Sequence, residues 1–116
     1  MNIYRQRDIV LVAFPFSDFS RKKVRPVLVL SNDTYNWQSA DILVCGLTTN
    51  LKPAPYSVIV DLTDVEQPGS LRHKSKIKVD ALVSLEQSLL IKPIARLKKD
   101  VFKQVLAELE DLIRPQ

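Results

Sequence analysis

Val24 to Asp33 reads V-R-P-V-L-V-L-S-N-D, and its middle decides the fold. Val27-Leu28-Val29-Leu30 is an apolar run with no alternation, the pattern of a strand covered on both faces. It predicts a central strand. Proline cannot donate to a ladder, so Pro26 is expected at the strand's first position, with Arg25 at its mouth. Ser31-Asn32-Asp33 then turns the chain away. A guanidinium beside the most buried element is held on a rigid support, where functional groups are best positioned. A surface arginine in an ordinary ion pair is the competing explanation.

Outward from this stretch, D-I-V-L-V-A-F-P-F from Asp8 to Phe16 predicts a first strand over about residues 8–14. The short polar segment Ser17 to Lys23 (S-D-F-S-R-K-K) joins it to the central strand. Two strands joined so briefly must run antiparallel, because a parallel crossover needs more chain. Thr34 to Ala40 has no clear period and is expected to be a loop holding about one helical turn, with Tyr35 and Trp37 partly exposed. Asp41 to Thr48 (D-I-L-V-C-G-L-T) predicts a third strand, with Gly46 marking a bulge or a close backbone approach. Tyr56 to Leu62, Ser75 to Leu85 and Ile94 to Leu97 complete the predicted strands. Beyond Lys98, Val101, Val105, Leu109 and Leu112 recur at helical spacing until Pro115 ends the run. The expected fold is mainly β: a small antiparallel sheet curving toward a barrel, with one C-terminal helix packed on it.

At 116 residues the chain is expected to be one domain, residues 1–116, with a single core. Cys45, the only cysteine, lies in an apolar run and is expected to pack as a small hydrophobe. The N-terminal residues lack a signal peptide's apolar core, and no apolar run reaches the ~20 residues of a bilayer span, so a cytoplasmic protein without membrane contact is expected. One histidine and one cysteine cannot furnish a zinc site, and two glycines cannot build a phosphate-cradling loop. No G-x-S-x-G elbow accompanies His73, which argues against a serine triad. No cofactor is expected.

The net charge is +4, and the excess is local. Arg72, Lys74, Lys76 and Lys78 cluster before and within the fifth strand, whereas Asp100, Glu108, Glu110 and Asp111 lie near the C-terminus. Side chains alternate across a sheet, so Lys74, Lys76, Lys78 and Asp80 are expected to share one face and Ser75, Ile77 and Val79 the other. The lysine stripe would span about 13 Å, a reach suited to a phosphate backbone. A solvated outer face, or an edge strand guarded by lysines, would carry the same charges.

D-I-V-L-V-x-F-P-F, a basic loop, R-P-V-L-V-L-S-N-D, D-I-L-V-C-G-L-T, S-x-I-x-V-D and a closing amphipathic helix follow one another here. In that order of parts the chain resembles, over nearly its whole length, the PemK/MazF toxins of bacterial and archaeal toxin–antitoxin pairs. The resemblance implies an SH3-like barrel that forms a homodimer and cleaves single-stranded RNA without metal, leaving a 2′,3′-cyclic phosphate. It also implies a cognate acidic antitoxin that blocks the RNA groove, with any DNA contact running through that antitoxin. Carried over by position, the family's catalytic arginine falls on Arg25 and its strand-end threonine on Thr48. A basic residue and an aspartate used by some members match Lys78 and Asp80. The candidate RNA contacts are Arg21, Lys22 and Lys23 of the first loop together with Arg72, Lys74 and Lys76.

The sequence departs from the family where Arg7 replaces the usual glycine before the first-strand acid. It departs again where the loop before Arg25-Pro26 lacks both glycine and histidine. Two rival expectations stand beside the ribonuclease: a non-catalytic SH3-like module that docks nucleic acid, and a toxin of the same fold that poisons a protein such as DNA gyrase.

Overall fold

A computed structural model describes residues 4–15 and 22–116. The strands are β1 (Asp8–Pro15), β2 (Lys22–Val29), β3 (Asp41–Thr48), β4 (Ser57–Val60), β5 (Ser75–Glu86) and β6 (Leu90–Arg96). Two helices accompany them, α1 (Asp33–Gln38) and α2 (Lys99–Leu112). The strands form one antiparallel sheet in the order β4-β5-β3-β2-β1-β6. The fold is therefore mainly β with a C-terminal helix, as the sequence predicts.

The two edge strands do not pair with each other, so the sheet curls without closing into a barrel. At one end the chain leaving β4 nevertheless reaches β6: Val65 bridges Leu97, and the Glu66 N–H donates to the Arg96 carbonyl at 2.7 Å. This matches an SH3-like barrel left open along the rest of its seam.

β2 lies inside the sheet, and Val27, Leu28 and Val29 are almost fully buried. Alternation sends its side chains to two cores. Leu28 joins the larger cluster with Ile9, Cys45, Val60, Ile77, Val79 and the α2 residues Val101, Phe102 and Val105. Val27 and Val29 join a smaller cluster with Val10, Val12, Ile42, Val44, Leu85 and Leu90. Each fully buried aliphatic or Phe side chain contributes roughly 1.5–3 kcal/mol relative to exposure. The helical spacing of the apolar residues of α2 thus serves to cap the larger core.

The strand's start is a correction. β2 begins at Lys22, so Arg25 and Pro26 lie within the strand, paired with Val12 and Leu11 of β1. Proline is accepted there because β2 pairs with β3 only over Val27–Val29, leaving Pro26 nothing to donate to on that side.

β4 is shorter than predicted. Tyr56 has φ +53, outside the strand region, and Asp61 caps a 3-10 turn at Leu62–Asp64 that stops the strand at Val60. β6 is longer than predicted: Pro93 interrupts its apolar pattern, yet an edge strand tolerates it opposite Val10, beside a register shift. α1, capped by the Asn32 side chain, is the expected helical turn, and Tyr35 and Trp37 are exposed at 46% and 65%.

Candidate functional site

β1 ends, and β2 and β5 begin, at the same end of the sheet where β3 finishes at Thr48. Continuing the Val27↔Gly46 register two residues further brings Arg25 to the position facing Thr48. The ladder itself stops at Val27↔Gly46, so no hydrogen-bonded pairing links Arg25 to Thr48. Lys76 is the partner of Thr48 on β5, and Lys78 is the partner of Gly46. Directly opposed residues project to the same side of a sheet. Arg25, Thr48, Lys76 and Lys78 therefore share one face, the side of the smaller core and away from α2.

Arg25 is half-buried and makes no ion pair among the described residues. Thr48 is also half-buried, and its Oγ1 accepts the Asn50 N–H at 3.2 Å. Lys23, Arg72, Lys74 and Lys78 are exposed. Arg21 lies outside the described residues, and Lys22 is described in its backbone alone. Lys52, which sequence reasoning missed, adds an exposed cation in the segment after Thr48. Its neighbours on the strand pattern carried no charge signal, so only the fold could bring it here.

The continuous lysine stripe needs correction. Lys76 is 5% exposed, and its Nζ donates to the Lys52 carbonyl at 2.7 Å. The alternation holds through Val79, with Ser75, Ile77 and Val79 buried. It fails next, because Lys78 pairs with Gly46 whereas Leu82 pairs with Cys45, which leaves Val79, Asp80 and Ala81 in a bulge. Gly46 does mark this bulge, as the sequence suggests. An added Cβ there would lie 3.7 Å from the Ala81 Cβ. Asp80 is exposed within the bulge, and its orientation no longer follows from the strand period.

Behind this face, burial and then the Asp80 charge push the Cys45 thiol up to about 12. Cys45 is fully buried and stays a neutral packing residue with no nucleophilic part to play.

The four ion pairs of the described residues lie elsewhere: Arg5–Asp33, Arg7–Glu66, Arg96–Asp8 and Arg114–Asp111. None of Lys23, Arg25, Lys52, Arg72, Lys74 and Lys78 is paired with a carboxylate among the described residues, and Lys23, Arg25 and Lys78 lie on strands β2 and β5 at this end of the sheet. Such a surface favours a polyanion. Among the described residues no group of three or more His, Cys, Asp or Glu is placed to hold a metal ion. No described helix is long and apolar enough to cross a membrane.

Arg7, at the far end of β1, has φ +77. This left-handed geometry explains the glycine expected at that position. Arg7 instead anchors itself, donating to Glu66 Oε2 at 2.7 Å and to the Leu97 carbonyl at 2.8 Å.

A family model described as PemK-like, MazF-like toxin of type II toxin–antitoxin system matches residues 5–113. No curated protein sequence matches the chain. Among solved structures, a MazE–MazF complex from Deinococcus radiodurans is similar with a TM-score of 0.80 at 22% identity, over 98% of this chain and 99% of that one. An endoribonuclease in complex with its cognate antitoxin, from Mycobacterial species, gives 0.79 at 16% identity, over 98% and 99%. The Mycobacterium tuberculosis toxin MazF-mt6 gives 0.76 at 19% identity, over 95% and 99%. At these identities the likeness is one of fold.

Proposed function

The chain belongs to the PemK-like, MazF-like toxin family of type II toxin–antitoxin systems, and from that membership we propose that it is an endoribonuclease cutting single-stranded RNA without metal. The observation that carries this is the placing of Arg25, Thr48 and Lys78 on one face of the sheet, with neither Arg25 nor Lys78 paired to a carboxylate among the described residues.

In the proposed reaction the ribose 2′-OH attacks the adjacent phosphorus. The bond to the 5′-oxygen breaks, giving a 2′,3′-cyclic phosphate and a 5′-hydroxyl. Negative charge builds on the phosphoryl oxygens, and the planar, five-donor guanidinium of Arg25 is shaped to stabilise it. Arginine stays protonated in proteins, so proton removal from the 2′-OH falls to Asp80. Lys78 orients the phosphate or protonates the leaving oxygen, and Thr48 donates to a phosphoryl oxygen. Lys23, Arg72, Lys74 and Lys52 hold the flanking backbone, and the protein selects its cleavage sequence in mRNA in the cytoplasm.

The same cationic end would attract a cognate antitoxin with an acidic, partly disordered segment, which would compete with RNA. Solved relatives described as a MazE–MazF complex and as an endoribonuclease with its cognate antitoxin support such a partner. The exposed Trp37, Tyr35 and sheet edges support a homodimer, which light scattering at micromolar concentration decides.

The test of function is incubation of purified protein with single-stranded RNA in excess chelator. Cleavage with cyclic-phosphate ends is expected. Intact RNA would leave only a binding module or a toxin with a protein target.

A further inference from the structure

Lys76 is the only buried lysine among the described residues. It faces no carboxylate in any ion pair there, and its Nζ is spent on a main-chain carbonyl. The hydrogen bonds around it close a ring. The Asn50 N–H donates to Thr48 Oγ1 at 3.2 Å, and the Lys52 N–H donates to Asn50 Oδ1 at 3.1 Å. Lys76 Nζ donates to the Lys52 carbonyl at 2.7 Å, and Lys76 is itself the cross-strand partner of Thr48. The segment so held contains Pro53 and Pro55 and no glycine, and its far side is tied by Ser57 Oγ donating to the Ala54 carbonyl at 2.6 Å.

We propose that Lys76 is a positioning residue, whose ammonium pins the segment after β3 so that the Asn50 N–H fixes the Thr48 hydroxyl for phosphate. A threonine hydroxyl has one proton to give. With Oγ1 accepting from Asn50, the proton is left to be given to a phosphoryl oxygen on the face shared with Arg25. Lys76 thus acts on the reaction through Thr48 and does not itself touch RNA. The inference rests on the proposed RNA cleavage and goes beyond it, since it removes Lys76 from the RNA contacts and gives it a different task.

Lys76→Met keeps the apolar stem and removes the donor. It is expected to lower kcat about tenfold, with KM changed less than about twofold. In a Thr48→Val background the same change is expected to cost under about twofold, because residues acting through one another are not additive. The slope of binding against salt should be unchanged, whereas a lost phosphate contact would reduce it by about 0.7. Hydrogen exchange at Asn50 and Lys52 should quicken while the core strands keep their protection.

Asn50→Ala, at an exposed position, breaks the same ring without threatening the fold. It is expected to lower kcat in the same way, and again only when Thr48 is present. Were Lys76→Met unable to fold, a parental rate in this variant would still overturn the proposal, because a pinned segment that does not affect Thr48 leaves Lys76 nothing to position. Equal losses with and without Thr48, a reduced salt slope, or a parental rate would each overturn the proposal. Should the parent protein leave RNA intact, the ribonuclease proposal fails, while exchange at Asn50 and Lys52 still tests the pin.

Discussion

Replacing Arg25 with alanine separates chemistry from folding. Arg25 makes no ion pair or side-chain hydrogen bond among the described residues, so its loss orphans no partner. Its half-buried stem on β2 and the neighbouring cations act in opposite directions on stability. A net change within about 1 kcal/mol follows, a shift of a few degrees at most in Tm. The rate is another matter. A preorganised donor to the charge of the transition state is worth about 2.7–4 kcal/mol, so cleavage should fall on the order of a hundredfold to a thousandfold. Arg25→Lys keeps the charge and loses the planar fork, and should sit about tenfold below the parent. The assay follows a labelled single-stranded RNA in chelator, with thermal melts on the same preparations. A folded Arg25→Ala protein cutting at the parental rate would refute the site.

Thr48→Val should slow cleavage by about tenfold, the loss of one neutral hydrogen bond, and so less than Arg25→Ala; a larger loss than that of Arg25→Ala would reverse their roles. Lys78→Gln should weaken RNA binding at low salt and reduce the salt slope by about 0.7, measured by titration at several ionic strengths; an unchanged slope would place the phosphate path elsewhere. Far from the site, the Arg7 hydrogen bond holds the Glu66 carboxyl below its ordinary range. A depressed folded pKa means stability present above the unfolded value and lost as pH falls through the folded one. Melts of the parent and Glu66→Gln should therefore differ at neutral pH and converge in acid, and a difference constant with pH would contradict the ion pair's part.

The strands were legible where burial imposes a pattern. Val27 to Leu30 had to lie inside the sheet, because four apolar residues in succession leave no face for water. The period of α2 and the reach of β3 followed from the same bookkeeping of apolar contacts. Legibility faded where tertiary partners relax a local rule: Pro26 sits inside β2 because β3 does not pair with it there, and Pro93 sits inside β6 because that strand is an edge.

Local pattern singled out Arg25 of the candidate site, although it placed the residue at the strand's mouth and not within β2, whereas Thr48 came from the family resemblance. What only the tertiary structure decided is that they share a face, since register is a property of two strands together and neither carries it alone. The fate of the lysines was decided there as well. Alternation assigns Lys74, Lys76 and Lys78 to one face. Which of them meets water depends on the segment after β3, whose Lys52 carbonyl takes the ammonium of the buried Lys76 while Lys78 stays exposed.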